Sequence, residues 1–279
     1  MQNLTILFED KSLLAVDKPP GLVVDKSETQ KQDTLEDLLA SKYDNFPARA
    51  GIVHRLDKDT SGVILIAKTQ RVLENLQAQF KERKVKKEYL ALVHGMVGKS
   101  GRVEGGIGRN PGNREKFMVI PGTSTSKESK PFFEVFSAKE AVTEYEPLNQ
   151  LTIDNGQWTN IFEDFNKIQM RKLERMKYNQ FTLLTCKPKT GRTHQIRVHL
   201  KYAGFSIVSD EKYAGRKMVR LDKRWCPRMF LHASKIGFSH PASGQWMELE
   251  SELPKDLRKV LESLRSLEQY SSSEVEKLP

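Results

Sequence analysis

The stretch HRLDKDTSGVILIA at His54–Ala67 is the most informative part of this chain. Its last residues form a short apolar run that is typical of a strand, and the polar residues before them bring the chain around in a turn. Asp57 lies in that turn, close to the cations of Arg55 and Lys58. Asp is favoured in turns because its side chain hydrogen-bonds nearby backbone groups. The residue types alone therefore leave a turn role and a functional role open for Asp57.

A second polar cluster lies far along the chain, in GRTHQIRVHL at Gly191–Leu200. It places Arg, His and Gln around a few apolar positions, where a surface helix more often carries mixed Lys and Glu. Two such clusters predict one site that is assembled from distant parts of the chain.

Composition narrows the class of partner. The chain has 279 residues, a formal net charge of +10 and a sequence pI near 9.4. This charge favours a polyanionic partner, either a nucleic acid or an anionic membrane surface. No apolar run reaches the roughly 18 residues needed to cross a bilayer, and the first residues lack the pattern of a secretory or organellar signal. We therefore expect a cytoplasmic protein with no membrane partner.

Cysteine and histidine usage argues against metals and disulfides. Cys186 and Cys226 lie far apart and form no C-x-x-C pair, so neither a disulfide framework nor a zinc site is indicated. His194 and His199 belong to a polar helix face rather than to a metal-ligand spacing. The glycines of GRVEGGIGRNPG at Gly101–Gly112 match neither the Walker nor the Rossmann spacing, so we predict a flexible surface loop there. We expect no metal and no nucleotide cofactor.

Several segments resemble the RluA-type RNA pseudouridine synthases and follow the order of that family's motifs. They are DKPPGLVV at Asp17–Val24, HRLDKDTSGVILIAK at His54–Lys68, KKEYLALVHG at Lys86–Gly95, GRNPGNREKFMV at Gly108–Val119, AVTEYEPL at Ala141–Leu148, KTGRTHQIRVHL at Lys189–Leu200 and LHASKIGFSHPASGQWMELESELPKDL at Leu231–Leu257. Together they span nearly the whole chain. GFSIVSDEKYAG at Gly204–Gly215 departs from the family pattern, with Phe205, Ser206 and Ser209 in place of His, Pro and Gly.

The resemblance implies an α+β pseudouridine synthase fold, with a central mixed, mainly antiparallel β-sheet flanked by helices and loops in a single catalytic domain over residues 1–279. Apolar runs support strands at Leu4–Phe8, Leu13–Val16, Val63–Ala67, Tyr89–Val93, Phe181–Thr185 and Phe230–Phe238. These runs are separated by hairpin-like turns more often than by long helices. This spacing favours a largely antiparallel sheet over a doubly wound parallel one.

Hydroxyl residues ahead of helically spaced apolar residues predict helix starts. Thr34, Thr69 and Thr193 each take the capping position of a predicted helix. Gly204 is a suitable stop for the third of these helices. The last helix is predicted to start near Pro254, whose fixed φ suits a first turn.

Two segments are inserted relative to the family pattern, at about 121–135 and 152–180. The second predicts an amphipathic helix that extends a hairpin, and it either packs against the body or forms an RNA-gripping arm. The tail at 268–279 is expected to be flexible. The family's frequent N-terminal S4 RNA-binding domain has no counterpart ahead of DKPPGLVV, so specificity is expected to come from the catalytic body, its insertions or a partner.

The resemblance implies a role for each residue of the assembled site. Asp57 is the catalytic carboxylate, which either attacks C1′ of the ribose or helps remove the C2′ proton. Arg197 pairs with it and fixes its orientation. Tyr89 stacks on the base and handles the C5 proton. Arg55 fills the space left by the extruded nucleotide, and a structural salt bridge is the competing interpretation.

Further substrate contacts follow from the same motifs. They are expected at His54, Lys87, Arg192, His194 and Ile196. The basic segment KERKVKK at Lys81–Lys87 leads into a family motif, and we expect it to contact the RNA backbone.

The sequence therefore predicts a cofactor-independent isomerase, acting as a monomer, that converts specific uridines of structured ribosomal or transfer RNA to pseudouridine. The runner-up is an RNA-binding or ribosome-assembly protein that kept the scaffold without turnover. A nucleoside hydrolase would share the carboxylate but needs an activated water and a second acid. The target RNA and the choice between C1′ attack and C2′ deprotonation stay open at this point.

Overall fold

The computed structural model describes residues 4–26, 33–43, 45–124, 126–153 and 155–267. The tail at 268–279 that was expected to be flexible lies outside these residues. The strands are β1 Thr5–Glu9, β2 Leu13–Lys18, β3 Ser61–Ala67, β4 Lys86–His94, β5 Gly101–Asn110, β6 Asn113–Pro121, β7 Lys139–Ile153, β8 Phe181–Pro188, β9 Leu231–Ser239, β10 Trp246–Glu250 and β11 Leu264–Ser266. The helices are α1 Leu35–Lys42, α2 Gln70–Lys81, α3 Lys130–Val135, α4 Asn155–Ile161, α5 Lys167–Arg175, α6 Gln195–Tyr202, α7 Arg216–Asp222 and α8 Lys255–Glu262, with a 3₁₀ turn at Ala48–Gly51.

The chain divides into two compact units. Among the described residues, the first unit comprises those up to Tyr89 together with Leu231–Leu253, and the second comprises Leu90–Phe230 together with 254–267. Strand β4 therefore contributes residues to both units. The extent of the catalytic domain over residues 1–279 stays a prediction.

In the first unit the strands follow the order β1-β2-β3-β9-β10. Neighbouring strands are antiparallel except β3 and β9, which are parallel where Ser61 and Gly62 pair with β9. Alternate residues of β2 and β3 point to opposite faces of the sheet. One face packs with α1 and the other with α2. Burial on both faces explains why these two strands are continuous apolar runs.

The two helices of the first unit begin where the sequence predicts. The hydroxyl of Thr34 accepts a hydrogen bond from the Asp37 N–H at 3.2 Å, and the Asp37 carboxylate accepts one from the Thr34 N–H at 3.0 Å. This reciprocal pair is a capping box. The hydroxyl of Thr69 accepts from the Val72 N–H at the start of α2. Both predicted caps are confirmed.

The second unit contains an antiparallel sheet in the order β8-β7-β5-β6, and β11 pairs with β7. Helix α6 packs across this sheet, in contact with β5, β6, β7 and β8. The helix ends as predicted, because Gly204 takes a positive φ of 93°. In this conformation its N–H and that of Phe205 return to carbonyls of the last turn.

The predicted start of α6 at Thr193 is wrong by one residue. The capping position belongs to His194, which lies in the left-handed region with φ 55° and makes no side-chain capping bond. The preceding loop is held instead by the buried amide of Gln195. Its oxygen accepts from the Thr190 hydroxyl at 2.6 Å and from the Arg192 N–H at 3.0 Å.

The predicted flexible loop at Gly101–Gly112 is also wrong, because most of it forms strand β5, paired with both β6 and β7. Its glycines serve close packing. A Cβ atom at Gly106 would lie 2.5 Å from the ring of Phe133, and one at Gly108 would lie 2.9 Å from the Phe136 carbonyl oxygen. Glycine lets α3 and the residues after it pack directly on the strand.

The second inserted segment, at 152–180, adds α4 and α5 between the antiparallel strands β7 and β8. Phe162 and Tyr178 are almost fully buried. The Tyr178 hydroxyl donates to the buried carboxylate of Asp222 at 2.7 Å and accepts from the Trp225 indole N–H at 3.0 Å. These contacts favour packing of the inserted segment against the rest of the second unit. A role of the segment in gripping RNA stays a prediction.

The predicted α+β class, with a mixed and mainly antiparallel sheet flanked by helices, is confirmed. None of the helices in the described residues combines the length and the hydrophobicity that a membrane span requires. Within the same residues, no group of three or more His, Cys, Asp or Glu side chains is placed to hold a metal ion.

Candidate active site

The loop that carries Asp57 is anchored by a buried lysine. Lys18 is fully buried at the end of β2. Its ammonium donates to the carbonyl oxygens of Pro19 at 2.8 Å, Leu22 at 2.8 Å and Lys58 at 3.0 Å. A buried ammonium is stable only when such acceptors replace water. Lys18 therefore joins the DKPPGL turn to the backbone immediately after Asp57.

The other end of the loop is fixed where β3 begins. The Ser61 hydroxyl lies 3.0 Å from Nδ1 of His232, and Nε2 of the same ring lies 2.9 Å from the Ser251 carbonyl oxygen. A carbonyl only accepts, so Nε2 carries a proton and donates to Ser251; in the neutral ring Nδ1 then accepts from the Ser61 hydroxyl. At Gly62, with φ 120°, a Cβ would lie 2.2 Å from the Ala233 carbonyl oxygen. Only glycine fits at this point, which sets where the loop ends.

Tyr89 and Asp57 are electrostatically coupled within the first unit. Tyr89 is half-buried and packs against the apolar core beneath β2 and β3. Burial raises the pKa of the Tyr89 phenol, and the negative charge of Asp57 raises it further. Tyr89 is therefore a neutral phenol near a carboxylate at neutral pH. That Tyr89 and Asp57 act together in one catalytic site stays a prediction.

His54 has a structural position. Its Nε2 accepts from the Leu65 N–H at 3.0 Å, and its ring stacks on Phe80 at 4.9 Å between centroids. Burial lowers its pKa to about 3, and the nearby charge of Lys87 acts in the same direction. The neutral imidazole thus holds the approach to β3, while contact of His54 or Lys87 with RNA stays a prediction.

Arg55 is exposed and lies in an ion pair. Its guanidinium is 3.0 Å from the Asp25 carboxylate, which also contacts Arg49. The structural salt bridge that the sequence left as an alternative is therefore present. Because 65% of the Arg55 side chain is exposed, the pair is a weak one, and a role for Arg55 in RNA binding stays a prediction.

In the second unit Arg197 is held by a carboxylate and an aromatic ring. Its Nε and Nη2 donate to the two oxygens of Asp210 at 2.9 and 2.8 Å, which is a bidentate pair. The guanidinium lies 5.1 Å from the ring centroid of Tyr213. Asp210 also accepts from the N–H groups of Lys212 and Tyr213. The plane of this buried guanidinium is therefore fixed.

Tyr213 is itself held from two sides. Its hydroxyl accepts from the Phe117 N–H at 3.0 Å and lies 2.8 Å from Nδ1 of His194. These bonds fix the ring on which Arg197 rests. Neither Asp210 nor Tyr213 was predicted as a site residue, although both match the family pattern that the flanking residues break.

The remaining predicted residues of the second unit also have definite positions. Arg192 is half-buried and its Nε donates to the Glu140 carbonyl at 3.1 Å. Ile196 is buried on α6, and His194 contacts Phe117 edge to face at 5.6 Å. The first unit thus gathers Asp57, Tyr89 and their neighbours, and the second gathers those around Arg197. The pairing of Arg197 with Asp57 stays a prediction.

Comparisons with known proteins identify the fold and the family. A family model described as RNA pseudouridylate synthase matches residues 12–202. An uncharacterized RNA pseudouridine synthase of Bacillus subtilis is 34% identical over 269 residues, covering 94% of this chain and 73% of that protein. Ribosomal large subunit pseudouridine synthase D of Nitrosomonas europaea is 36% identical over 281 residues, covering 97% and 68%.

A solved structure of human RNA pseudouridylate synthase domain containing 1 matches with a TM-score of 0.67 at 22% identity, covering 99% of this chain and 96% of that one. This likeness confirms the predicted pseudouridine synthase fold. The family model and the relatives add the chemistry. The chain belongs to the RNA pseudouridylate synthase family, as an RluA-type member, and is an isomerase that converts uridine in RNA to pseudouridine.

Proposed function

We propose that this protein isomerises one or a few uridines of ribosomal large-subunit RNA, with Asp57 as the catalytic carboxylate. The observation that carries the assignment is the anchoring of the Asp57 loop at both ends, by Lys18 at the Lys58 carbonyl and by Gly62 against the Ala233 carbonyl. The Asp57 charge also helps to raise the pKa of the half-buried Tyr89 phenol. The names of relatives such as the Nitrosomonas europaea protein support a ribosomal target over transfer RNA.

The reaction balances without an external reactant. The N1–C1′ bond breaks, the base turns, and a C5–C1′ bond forms; C5 then loses its proton and N1 gains one. Asp57 acts at the electron-poor anomeric carbon in one of two ways. It attacks C1′ as the N1–C1′ bond breaks and leaves again when the C5–C1′ bond forms, or it removes the C2′ proton as the base departs and returns that proton as the C5–C1′ bond forms. Both routes need an ionised carboxylate beside the ribose. We propose no metal and no cofactor for it.

Tyr89 acts as a neutral phenol in this scheme. Its raised pKa means that it keeps its proton at neutral pH, so the ring offers a stacking face and the hydroxyl offers a donor. It accepts the C5 proton only by passing its own proton on. The carboxylate of Asp57, available again once the C5–C1′ bond has formed, is the acceptor that we propose for this relay. It releases the proton to solvent while N1 takes one from solvent, so the enzyme is regenerated.

The cations complete the site. We propose that Arg197, oriented by Asp210 and Tyr213, pairs with Asp57 and fixes its orientation. Arg55 leaves Asp25 to occupy the space of the flipped uridine. Lys87 and Arg192 bind RNA phosphates, while His194 and Ile196 shape the floor beneath the base. Because ribosomal RNA is the substrate, we expect a cytoplasmic enzyme, and we propose that it acts as a monomer.

The test is pseudouridine mapping on large-subunit ribosomal RNA transcribed in vitro and incubated with the purified protein. We expect new pseudouridines at a few positions, with the mass of the RNA unchanged. Asp57→Asn should lower the single-turnover rate by at least about a thousandfold, whereas the control Asp59→Asn in the same loop should retain most of it. Release of free uracil would indicate a hydrolase, and an active Asp57→Asn variant would contradict the catalytic assignment.

A further inference from the structure

A groove of about 860 Å³ opens on the second unit. The residues that line it come from three stretches of chain: strand β5 with the turn into β6, the segment after α3, and the loop before α6. They include Arg109, Arg114, Phe117, Phe136, Lys139 and Arg192. The sequence analysis assigned no functional role to strand β5 or to the segment after α3.

The charge of the groove is of one sign. Arg109, Arg114, Lys139 and Arg192 line it, and no carboxylate of the described residues does. The acids next to lining residues along the chain are Glu115, Glu134 and Glu140, and none of these three lines the groove. Glu140 accepts from the Ser124 hydroxyl at 2.8 Å, and Glu134 lies 4.0 Å from Lys130. A concave surface lined only by cations raises the local concentration of a polyanion.

Aromatic rings lie among these cations. Phe117 and Phe136 both line the groove, and both are half-buried. The Arg109 guanidinium lies 5.2 Å from the Phe117 ring centroid and donates to the Arg114 carbonyl at 2.7 Å. This arrangement holds a planar cation against an aromatic ring before any ligand arrives. Unpaired bases stack on such rings and guanidinium planes, and phosphates bind the neighbouring cations.

The groove adjoins the arrangement around Arg197. The backbone N–H of Phe117 donates to the Tyr213 hydroxyl, and Tyr213 supports Arg197. Its volume lies at the upper end of the range of about 300–1,000 Å³ that is typical of ligand pockets. A single nucleotide leaves much of such a space unfilled, whereas two or three nucleotides of a strand would fill it.

We infer that this groove binds the unpaired nucleotides that flank the target uridine, with a base against Phe117 or Phe136 and phosphates on the four cations. The inference rests on the proposed function for the identity of the RNA. It assigns target selection in part to the shape of the single strand beside the uridine. A fully paired neighbour could not present its bases to these rings.

The experiment measures binding, so it does not depend on turnover. A fluorescein-labelled oligouridylate of about eight nucleotides and a fully paired RNA hairpin are titrated with the Asp57→Asn protein by fluorescence anisotropy at several salt concentrations. The test variant is Arg109→Gln with Lys139→Gln. The matched control is Lys99→Gln with Lys201→Gln, which removes the same charge from exposed positions of the same unit that do not line the groove.

We expect the test variant to bind the oligouridylate about tenfold more weakly at low salt and to lower the salt slope by about 1.4, from two lost phosphate contacts. Phe117→Leu, which keeps the backbone donor, should weaken oligouridylate binding at least about fivefold and leave the slope unchanged. A photoreactive 4-thiouridine in the oligomer should cross-link to the peptide holding Phe117 or Phe136.

Equal losses in the test variant and the control would overturn the inference, as would equal losses for the oligouridylate and the hairpin. A cross-link confined to other peptides would also overturn it. If the wild-type protein makes no pseudouridine while the oligouridylate results are as expected, the proposed function is wrong. The inference that the groove binds single-stranded RNA is then retained. If pseudouridine forms and the groove variants bind normally, only the groove inference fails.

Discussion

The loop that carries Asp57 and the helix that carries Arg197 are both built around a buried cation, and the acceptors of the two cations differ. Lys18 donates to three main-chain carbonyls, whereas Arg197 donates to both oxygens of a carboxylate, Asp210. Carbonyl oxygens fix the path of the backbone. A carboxylate fixes the plane of a side chain and neutralises its charge.

The difference assigns distinct tasks to the two regions. In the first, the position of Asp57 follows from the backbone, because Lys18 binds the residue next to it and β3 begins a few residues later. In the second, the orientation of Arg197 follows from other side chains. Substitution of Lys18 should therefore shift the backbone and lower stability. Substitution of Asp210 should instead change the orientation of the Arg197 guanidinium.

The largest effect is expected for Lys18→Met. This substitution removes the ammonium that donates to three buried main-chain carbonyls. We therefore expect the free energy of unfolding to fall by about 4 kcal/mol. Turnover should fall with it, because the Asp57 loop loses its anchor. Urea denaturation and single-turnover rates measure the two effects. The control Lys11→Met, at an exposed position of the same unit, should change neither, and wild-type stability in Lys18→Met would remove the basis of the comparison.

Asp210→Asn should act on chemistry more than on folding. It leaves the buried guanidinium of Arg197 without its charge partner, at a cost of about 3 kcal/mol in stability, and turnover of the folded protein should fall about a hundredfold. Asp222→Asn is the matched control, because Asp222 is also a buried carboxylate of the second unit and bonds to Tyr178, His94 and Ser209. It should destabilise the protein similarly while the turnover of the folded fraction stays near normal. Equal turnover in the two variants would contradict the positioning role.

Local patterns explain which parts of this fold could be predicted. The apolar runs of β2 and β3 and the hydroxyl caps at Thr34 and Thr69 are complete within a few residues, and their predictions are confirmed. Strand β5 was missed because its glycines are typical of loops when no partner is known. Their purpose, close contact with α3 and Phe136, depends on residues about 30 positions away.

The same limit applies to the candidate site. Asp57 and Tyr89 stand in motifs that the family resemblance covers, so they could be named from the sequence. The side chains that hold the site in place could not, because each has a partner distant in the chain. Lys18 binds the Lys58 carbonyl, and Tyr213 is held by the Phe117 N–H, 96 residues away. Long-range pairing of this kind leaves no periodic signal.

The acid dependence of stability should separate the two regions further. Burial lowers the pKa of His54 to about 3, against about 6.5 in the unfolded chain. The unfolded chain therefore binds more protons than the folded protein between these pH values. The contribution of His54 to the free energy of unfolding is fully present above about pH 6.5 and is lost as the pH falls. His54→Gln keeps an acceptor for the Leu65 N–H and cannot titrate.

Between pH 7 and pH 5 the free energy of unfolding should fall by about 1 to 2 kcal/mol less in His54→Gln than in the wild type, as measured by urea denaturation. His199, whose pKa burial lowers to about 4, lies in the second unit and keeps its own contribution of the same sign. A matching His199→Gln variant shows how much that region adds. An unchanged pH dependence in His54→Gln would mean that the His54 imidazole is hydrated and protonates normally in the folded protein.

The smallest effect is expected for Tyr213→Phe, which tests how much the Tyr213 hydroxyl contributes to the orientation of Arg197. The ring under the guanidinium is retained, but the Phe117 N–H loses its acceptor, so stability should fall by about 1 kcal/mol. Turnover should fall by less than in Asp210→Asn, because the bidentate carboxylate still fixes the guanidinium plane and the ring only supports it. The comparison is made on kcat at saturating RNA, with Tyr202→Phe at an exposed position as the control. A larger loss of kcat in Tyr213→Phe than in Asp210→Asn would transfer the orienting role from the carboxylate to the hydroxyl network that includes His194.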